Sequence, residues 1–245
     1  MSRFAVILPA AGASRRYGDR NYKKPFAPLA GRAMWLHAAD RFLARDDVGQ
    51  LIVAIAEDDR EHFSQKFGAN LAIMGVDVCA GGGQRADSVQ NALAKLNDDI
   101  DHVAVHDAAR PCLDDAWIDA VFKAAQSSGA AILATPVAAT LKRVGAQSQI
   151  VETVPRSDLW EAQTPQAFRR ELLEKAYASR GELDATDDAQ LVEALGEPVK
   201  IVQGSPLNLK ITVREDLRLA EQILKVLPKP KTGGVNPFAD DDLWR

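Results

Sequence analysis

A run of small residues followed by cations gives the first part of the chain the chemistry of phosphate binding. The first apolar segment leads into Pro9-Ala-Ala-Gly-Ala-Ser-Arg-Arg-Tyr-Gly18, and Lys23-Lys24-Pro25 follows shortly afterwards. Small residues let a backbone pass close to a ligand, and its N–H groups can point at phosphate oxygens. The spacing of Gly12 and Gly18 is not that of a dinucleotide fingerprint, and no Gly-Lys-Ser/Thr follows as in a P-loop. Strand, turn, arginine pair and lysine in this order favour a phosphate site over a purely structural turn.

A single carboxylate further along the chain offers a place for a divalent cation. Asp107 directly follows the apolar segment His102-Val-Ala-Val-His106. Ligands of open α/β sheets bind outside the carboxyl ends of the strands, and Mg²⁺ prefers one or two protein carboxylates with water and phosphate oxygens around it. The alternative for Asp107 is a helix cap or a surface acid. His102 and His106 would lie about 13 Å apart along a strand, too far to share one ion, so we interpret both as structural or as supports of neighbouring site residues.

The segments that carry these residues belong to a pattern of short strands and amphipathic helices. Several strands are apolar on both faces, as buried parallel strands are. We predict strands at 4–9, 51–55, 76–79, 102–106 and 130–135, and helices at 35–43, 87–96 and 116–125. Such alternation implies right-handed crossovers and a parallel sheet. The prediction is an α/β fold with a Rossmann-like, mostly parallel sheet and helices on both faces.

The pattern changes after Pro136. Residues 140–144 and 150–154 alternate polar and apolar positions around Gly145, which predicts an antiparallel hairpin. We interpret it as an arm, over about 138–157, that projects from the main sheet. Later elements are predicted as helices at 169–178, 187–195 and 214–226 and a strand at 199–202. We expect one domain over 1–227 and a flexible tail over 228–245, which begins with a linker-like composition.

Composition excludes several classes of protein. With 47% hydrophobic and 26% charged residues among 245, the chain is typical of a packed protein, and its apolar runs fall short of the roughly 20 residues of a membrane span. Two isolated cysteines and no cleavable signal predict a cytoplasmic protein with reduced thiols. The net charge of −4 argues against a protein that mainly binds nucleic acid or an anionic membrane, so we expect neither as a partner. However, residues 1–45 hold nine bases and two acids and so carry +7, which leaves −11 for the rest.

The order of strand, Ala-Ala-Gly, Arg and Lys-Pro resembles the signature of the sugar-nucleotide pyrophosphorylases, which join a nucleoside triphosphate to a sugar or polyol phosphate. Within that group, further motifs resemble those of the 2-C-methyl-D-erythritol 4-phosphate cytidylyltransferases. They are Gly81-Gly-Gly-Gln-Arg-Ala-Asp-Ser88, Val105-His-Asp-Ala-Ala-Arg-Pro111, Leu159-Trp-Glu-Ala-Gln-Thr-Pro-Gln166 and Asn208-Leu-Lys-Ile-Thr212. The resemblance covers about Phe4 to Val226. It implies conversion of CTP and 2-C-methyl-D-erythritol 4-phosphate to the CDP-linked polyol and pyrophosphate, with Mg²⁺, in the non-mevalonate route to isoprenoids.

The resemblance also implies roles for individual residues. It assigns Arg16 and Lys24 to stabilising the transition state, and it places Lys210 near the triphosphate and the acceptor. Asp107 would bind the metal and the acceptor, and Arg110 would face the acceptor. The implied nucleotide-binding residues are Ala10, Ala11, Gly12, Gly82, Gly83, Ser88 and Ala108. For the glycine-rich segment, a plain connecting loop is the alternative.

In the family the arm clasps a second protomer. Thr140 and Arg156 flank the predicted hairpin, and the resemblance implies that they reach the neighbour's active site and hold the acceptor phosphate, with Arg156 also catalytic. The expectation is a homodimer whose sites are completed by the partner's arm. Outside its motif, Arg156 would be interpreted as a solvated surface base. Thr164 and Thr186 are candidates for minor contributions and are otherwise cap or turn residues.

Two other functions stay open at this point. A cytidylyltransferase for another polyol phosphate, such as ribitol 5-phosphate, would have the same nucleotide half. A non-catalytic nucleotide-binding protein would use the same scaffold, although Arg16, Lys24 and Asp107 together argue against it. Because the chain ends at Arg245, we expect no fused second enzyme, and we interpret the tail, which contains Phe238 and Trp244, as unstructured rather than as a docking peptide.

Overall fold

The computed structural model describes residues 2–12, 17–18 and 23–230. The strands in this part of the chain are β1 Phe4–Pro9, β2 Pro28–Leu29, β3 Arg32–Ala33, β4 Val48–Ile55, β5 Asp77–Ala80, β6 His102–Val105, β7 Ala130–Pro136, β8 Leu141–Val144, β9 Ile150–Val154, β10 Trp160–Arg169 and β11 Lys200–Gln203. The α-helices are α1 Met34–Leu43, α2 Arg60–Met74, α3 Arg85–Leu93, α4 Asp115–Ser128, α5 Arg170–Ala178, α6 Asp188–Ala194 and α7 Glu215–Val226. None of these helices is long and apolar enough to span a membrane.

Seven strands form the central sheet in the order β11-β7-β10-β6-β1-β4-β5. Among these seven strands, β10 is antiparallel to its neighbours β6 and β7, and the other neighbouring pairs are parallel. The predicted α/β fold with a mostly parallel sheet is therefore confirmed. The sequence did not predict β10 as a strand. Its first half is exposed and its buried half contains the polar residues Gln163, Thr164 and Gln166, so the usual alternation is missing.

Helices cover both faces of the sheet. Phe4, Val6 and Leu8 of β1 belong to a core cluster with α1, α2 and α4, whereas Ala5 and Ile7 belong to a second cluster with α3, α5 and α6. Successive residues of a strand point to opposite faces, so the continuous apolar run of β1 follows from burial on both sides. Helix α7 closes a third cluster beside β2 and the start of α1.

Helix α2 is the main helix that the sequence pattern did not predict. Its buried residues are Phe63, Phe67 and Asn70, at spacings of four and three. This narrow stripe faces the core and the remaining positions are largely polar. The other predicted helices and strands are present, with ends that shift by a few residues.

Strands β8 and β9 form the predicted antiparallel hairpin, which is a separate two-stranded sheet. Three apolar side chains on it are more than half exposed, Val144 at 55%, Ile150 at 64% and Val151 at 65%. The hairpin therefore lies outside the main sheet, as expected for an arm. Of the predicted tail, residues 231–245 lie outside the described part of the chain.

Candidate active site

A cavity of about 280 Å³ lies at the carboxyl ends of β1, β5 and β6. We call it the larger cavity, because a smaller cavity adjoins it. Its lining is Pro9, Ala10, Ala11, Gly12, Lys24, Pro25, Gly82, Gly83, Gln84, Arg85, Ser88, Asp107, Ala108, Ala109 and Lys210. This is the edge at which open α/β sheets bind ligands, and small residues make up much of the wall. A ligand can therefore lie close to the backbone here.

Backbone hydrogen bonds fix the two loops that face each other across this cavity. The N–H of Ala10 donates to the carbonyl of Ala54 over 2.9 Å, and the N–H of Gly81 donates to the carbonyl of Ile55 over 2.7 Å. The loops approach so closely that a Cβ on Gly81 would lie 2.2 Å from the Cβ of Ala11. Glycine at 81 is therefore required by packing between the loops.

The start of α3 is braced by its own side chains. Ser88 is buried, and its Oγ accepts from the N–H of Gly82 over 3.0 Å and donates to the carbonyl of Gln84 over 3.2 Å. Gln84 and Asp87 form a reciprocal capping box. The hydroxyl of Ser88 is thus engaged by the loop, so the glycine-rich segment is a fixed wall of the cavity.

Three cations surround the carboxylate of Asp107. Lys210 Nζ lies 2.6 Å and Arg110 Nε 3.7 Å from Oδ2, and Arg85 Nε lies 3.4 Å from Oδ1. Burial opposes ionisation of Asp107, but the charges of Arg85, Lys210 and Arg110 outweigh it and hold the pKa well below its usual range. The side chain is therefore a carboxylate at neutral pH.

A smaller cavity of about 190 Å³ adjoins the first. Its lining is Arg85, Asp107, Arg110, Ala162, Gln163, Thr164, Gln166, Thr186, Asp187 and Lys210. The two cavities share Arg85, Asp107 and Lys210, which we call the shared wall. These three residues, one acid and two cations, lie between the two cavities. Anionic ligands in the two cavities can therefore approach each other at the shared wall.

A buried chain of hydrogen bonds holds Asp107 from behind. The N–H of Asp107 donates to Thr164 Oγ1 over 3.0 Å, and Thr164 Oγ1 contacts His106 Nδ1 over 3.1 Å. His106 Nε2 lies 3.0 Å from the carbonyl of Arg110, so Nε2 carries the proton and Nδ1 accepts from Thr164. Burial lowers the pKa of His106 to about 4, which keeps the imidazole neutral. The sequence indicated a structural role for His106 but did not identify Thr164 as its partner.

Arg110 is anchored by backbone carbonyl groups. Its Nη1 donates to the carbonyl of Asn208 over 2.7 Å, and the side chain of Asn208 donates to the carbonyl of Thr164 over 2.8 Å. Asn208 is fully buried. The segment before α7 is therefore tied to β10, which places Lys210 on the shared wall.

The structure brings most of the predicted site residues together. Those on the two cavities are Ala10, Ala11, Gly12, Lys24, Gly82, Gly83, Ser88, Asp107, Ala108, Arg110 and Lys210. Thr140 and Arg156 are exposed beside the arm and line neither cavity of their own chain. Arg16 lies outside the described residues. Sequence reasoning assigned no role to Arg85, although it lies within the glycine-rich motif.

Known proteins match this chain over almost its whole length. It matches the sequence profile of the 2-C-methyl-D-erythritol 4-phosphate cytidylyltransferases over residues 4–226. It is 43% identical to the enzyme of that name from Rhodopirellula baltica, over 90% of this chain and 94% of that protein. It is 42% identical to the one from Dechloromonas aromatica, over 92% and 99% of the two chains. The crystal structure of the Thermus thermophilus enzyme is similar with a TM-score of 0.72 and 34% identity, over 92% of this chain and 100% of that one. The chain belongs to the 2-C-methyl-D-erythritol 4-phosphate cytidylyltransferase family.

Proposed function

We propose that the protein transfers the cytidylyl group of CTP to the phosphate of 2-C-methyl-D-erythritol 4-phosphate and releases pyrophosphate. The observation that carries this proposal is the pair of cavities that share Arg85, Asp107 and Lys210. One cavity is lined by small residues and the other by polar side chains, so a nucleotide and a phosphorylated acceptor can meet at one cationic wall. The product is 4-diphosphocytidyl-2-C-methyl-D-erythritol, an intermediate of the non-mevalonate route to isoprenoids.

The reaction is a direct displacement at phosphorus. An oxygen of the acceptor phosphate attacks the α-phosphorus of CTP, and the new P–O bond forms as the bond to the bridging oxygen of the β-phosphate breaks. Pyrophosphate leaves with that electron pair, so no covalent enzyme intermediate is needed. Two anions must approach each other and a third departs, so catalysis consists of positioning and of neutralising negative charge.

Lys24 and Lys210 are the described lysines that supply this charge. Lys24 lines the larger cavity, and Lys210 lies on the shared wall with its side chain 43% exposed. The contact between Lys210 and Asp107 holds the ammonium group at the boundary between nucleotide and acceptor. Arg16 completes the cationic set in our proposal through the family resemblance.

The larger cavity suits the nucleotide. Ala10, Ala11 and Gly12 follow β1, Gly82, Gly83 and Ser88 form the opposite loop, and Ala108 follows β6. Their small side chains leave the main chain to contact the phosphates, the ribose and the cytosine. The smaller cavity suits the acceptor phosphate, which Arg110 and the shared wall would bind.

Asp107 is the residue that would hold Mg²⁺. Among the described residues, its Oδ1 has one polar side-chain contact, the 3.4 Å contact with Arg85, and no group of three His, Cys, Asp or Glu side chains could hold a metal ion. One carboxylate fits an ion that obtains its other ligands from phosphate oxygens and water. When bound, Mg²⁺ would neutralise charge on the triphosphate.

A second copy of the chain would complete each site. The exposed apolar side chains Val144, Ile150 and Val151 on the arm support a homodimer in which they are covered. Thr140 and Arg156 of the second copy would then hold the acceptor phosphate, with Arg156 adding positive charge. We expect the dimer to work in the cytoplasm.

Release of pyrophosphate tests this function. Purified protein with Mg²⁺ and CTP should release pyrophosphate when 2-C-methyl-D-erythritol 4-phosphate is added and much less with ribitol 5-phosphate. A clear preference for ribitol 5-phosphate would change the acceptor. If no polyol phosphate in a panel causes release, the protein is a nucleotide-binding protein rather than an enzyme.

A further inference from the structure

The buried carboxylate of Asp188 lies behind the shared wall and forms an ion pair with Arg85, one of the cations of that wall. Asp188, at the start of α6, is fully buried. Its Oδ2 lies 2.7 Å from Arg85 Nη2, and its Oδ1 accepts a hydrogen bond of 2.6 Å from the hydroxyl of Tyr177. Both oxygens of the carboxylate are therefore engaged.

The backbone of Asp188 is fixed as well. The side-chain oxygen of Gln166, on β10, accepts from the N–H of Asp188 over 3.1 Å and from the N–H of Ala189 over 3.0 Å. Asp187, not Asp188, caps the helix by accepting from the N–H of Gln190. The side chain of Asp188 therefore does not cap the helix. It contacts Arg85 and Tyr177 instead.

Arg85 lies between two carboxylates at unequal distances. It is 2.7 Å from Asp188 but 3.4 Å from Asp107, which is long for a charged hydrogen bond. Burial opposes the charge of Arg85, but Asp188 and Asp107 outweigh it and raise the guanidinium pKa. Burial, reinforced by Asp188, also raises the pKa of Tyr177, so its hydroxyl stays a donor. The arrangement holds the guanidinium towards Asp188.

We propose that Asp188 and Tyr177 are positioning residues that hold Arg85 back from Asp107, so that Oδ1 of Asp107 stays available on the substrate side of the shared wall. Without this grip, Asp107 is the only carboxylate left beside Arg85 among the described residues. The guanidinium would then shorten its present 3.4 Å contact with Asp107 and occupy Oδ1. The inference rests on the proposed function, because that function assigns Asp107 to the acceptor and the metal.

A double-mutant cycle tests the proposal through turnover. Asp188→Asn is expected to lower kcat at least about tenfold, while the Kd for CTP from calorimetry changes less than about threefold. In an Arg85→Gln background, the same substitution should lower kcat less than about twofold, because there is no guanidinium left to hold. Equal factors in both backgrounds, or an unchanged kcat in the single variant, would overturn the proposal.

Two further variants guard against simple loss of folding. Loss of the buried carboxylate leaves the partly buried Arg85 without its nearest partner and can be destabilising, so Tyr177→Phe provides a second cycle with Arg85→Gln. It removes only one hydroxyl and should lower kcat about threefold or more, again only when Arg85 is present. Glu174→Gln is the matched control. Glu174 lies on α5, as Tyr177 does, and its carboxylate is 2.8 Å from Arg170 Nε. The substitution removes this ion pair and should leave kcat unchanged, because Glu174 lines neither cavity.

A crystal structure of Asp188→Asn, or of Tyr177→Phe if the first does not fold, gives a readout that needs no turnover. Arg85 is expected within about 3.0 Å of Asp107 Oδ1. A guanidinium that keeps its present separation of 3.4 Å from Oδ1 would overturn the inference. Because this readout is independent of catalysis, failure of the positioning proposal is distinguishable from a wild-type protein that releases no pyrophosphate.

Discussion

Thr164→Val probes the hydrogen-bond chain that holds Asp107. Valine has nearly the shape of threonine but no hydroxyl, so the substitution leaves the N–H of Asp107 and Nδ1 of His106 without their partner. Thr164 is 4% exposed and His106 is fully buried, so water does not replace the lost bonds.

The expected cost follows from these two unpaired groups. Each buried polar group that loses its partner costs about 1–3 kcal/mol, so with two such groups the free energy of unfolding should fall by about 2–6 kcal/mol. The turn that carries Asp107 should also shift, and a small shift of a catalytic group can lower kcat by about tenfold to a hundredfold.

Urea denaturation and steady-state kinetics measure the two effects on the same preparation. Thr135→Val is the matched control, because Thr135 is also a buried strand threonine but has no side-chain hydrogen bond among the described residues. It should change the free energy of unfolding by less than about 1 kcal/mol. Equal losses of stability in both variants, or a Thr164→Val enzyme with wild-type stability and kcat, would refute the reasoning.

Three further predictions concern pH, charge and assembly. The folded pKa of His106 is lowered to about 4 from 6.5, so only the unfolded chain takes up a proton between these values. The free energy of unfolding should therefore fall by about 1.4 kcal/mol per pH unit as pH drops through this window, and urea melts of His106→Gln should show a shallower slope. Lys24→Ala should lower kcat by at least about a hundredfold with a smaller effect on CTP binding, whereas Lys23→Ala, whose ammonium pairs with Asp59 at 2.6 Å, should stay near wild type. The reverse pattern would make Lys24 a binding anchor. Ile150→Glu with Val151→Glu on the arm should give inactive monomers by sedimentation and assay, and a fully active monomer would contradict the shared site.

The parts of the fold that the sequence predicted are those with a strong local pattern. β1 is apolar at every position because both faces are covered, and the hairpin alternates around a glycine turn. β10 escaped prediction because its buried residues are polar and find their partners only in the folded protein, as Thr164 does with His106. α2 was not predicted because only a narrow stripe of its residues is buried, and this stripe gives a weak helical pattern although it packs the helix against the core.

In the site, too, the residues with a local sequence pattern were predicted and those with distant partners were not. Residues within one loop, such as Gly82 and Ser88, lie together in sequence, and their motif indicated a ligand site. The nearest carboxylate partner of Arg85 is Asp188 on α6, which lies 103 residues away in the sequence, and no local pattern links the two residues. Contacts of this kind arise from the order of the strands in the sheet and become visible only in three dimensions.

Phosphorus NMR of a single reaction mixture tests the central claim most directly. With protein, Mg²⁺, CTP and 2-C-methyl-D-erythritol 4-phosphate, the signals of the CTP triphosphate and the acceptor monoester should decline together. Two coupled signals of a new diphosphate diester and the signal of free pyrophosphate should replace them in equal amounts. A mixture in which the acceptor monoester persists while CTP is hydrolysed or left unchanged would contradict the account.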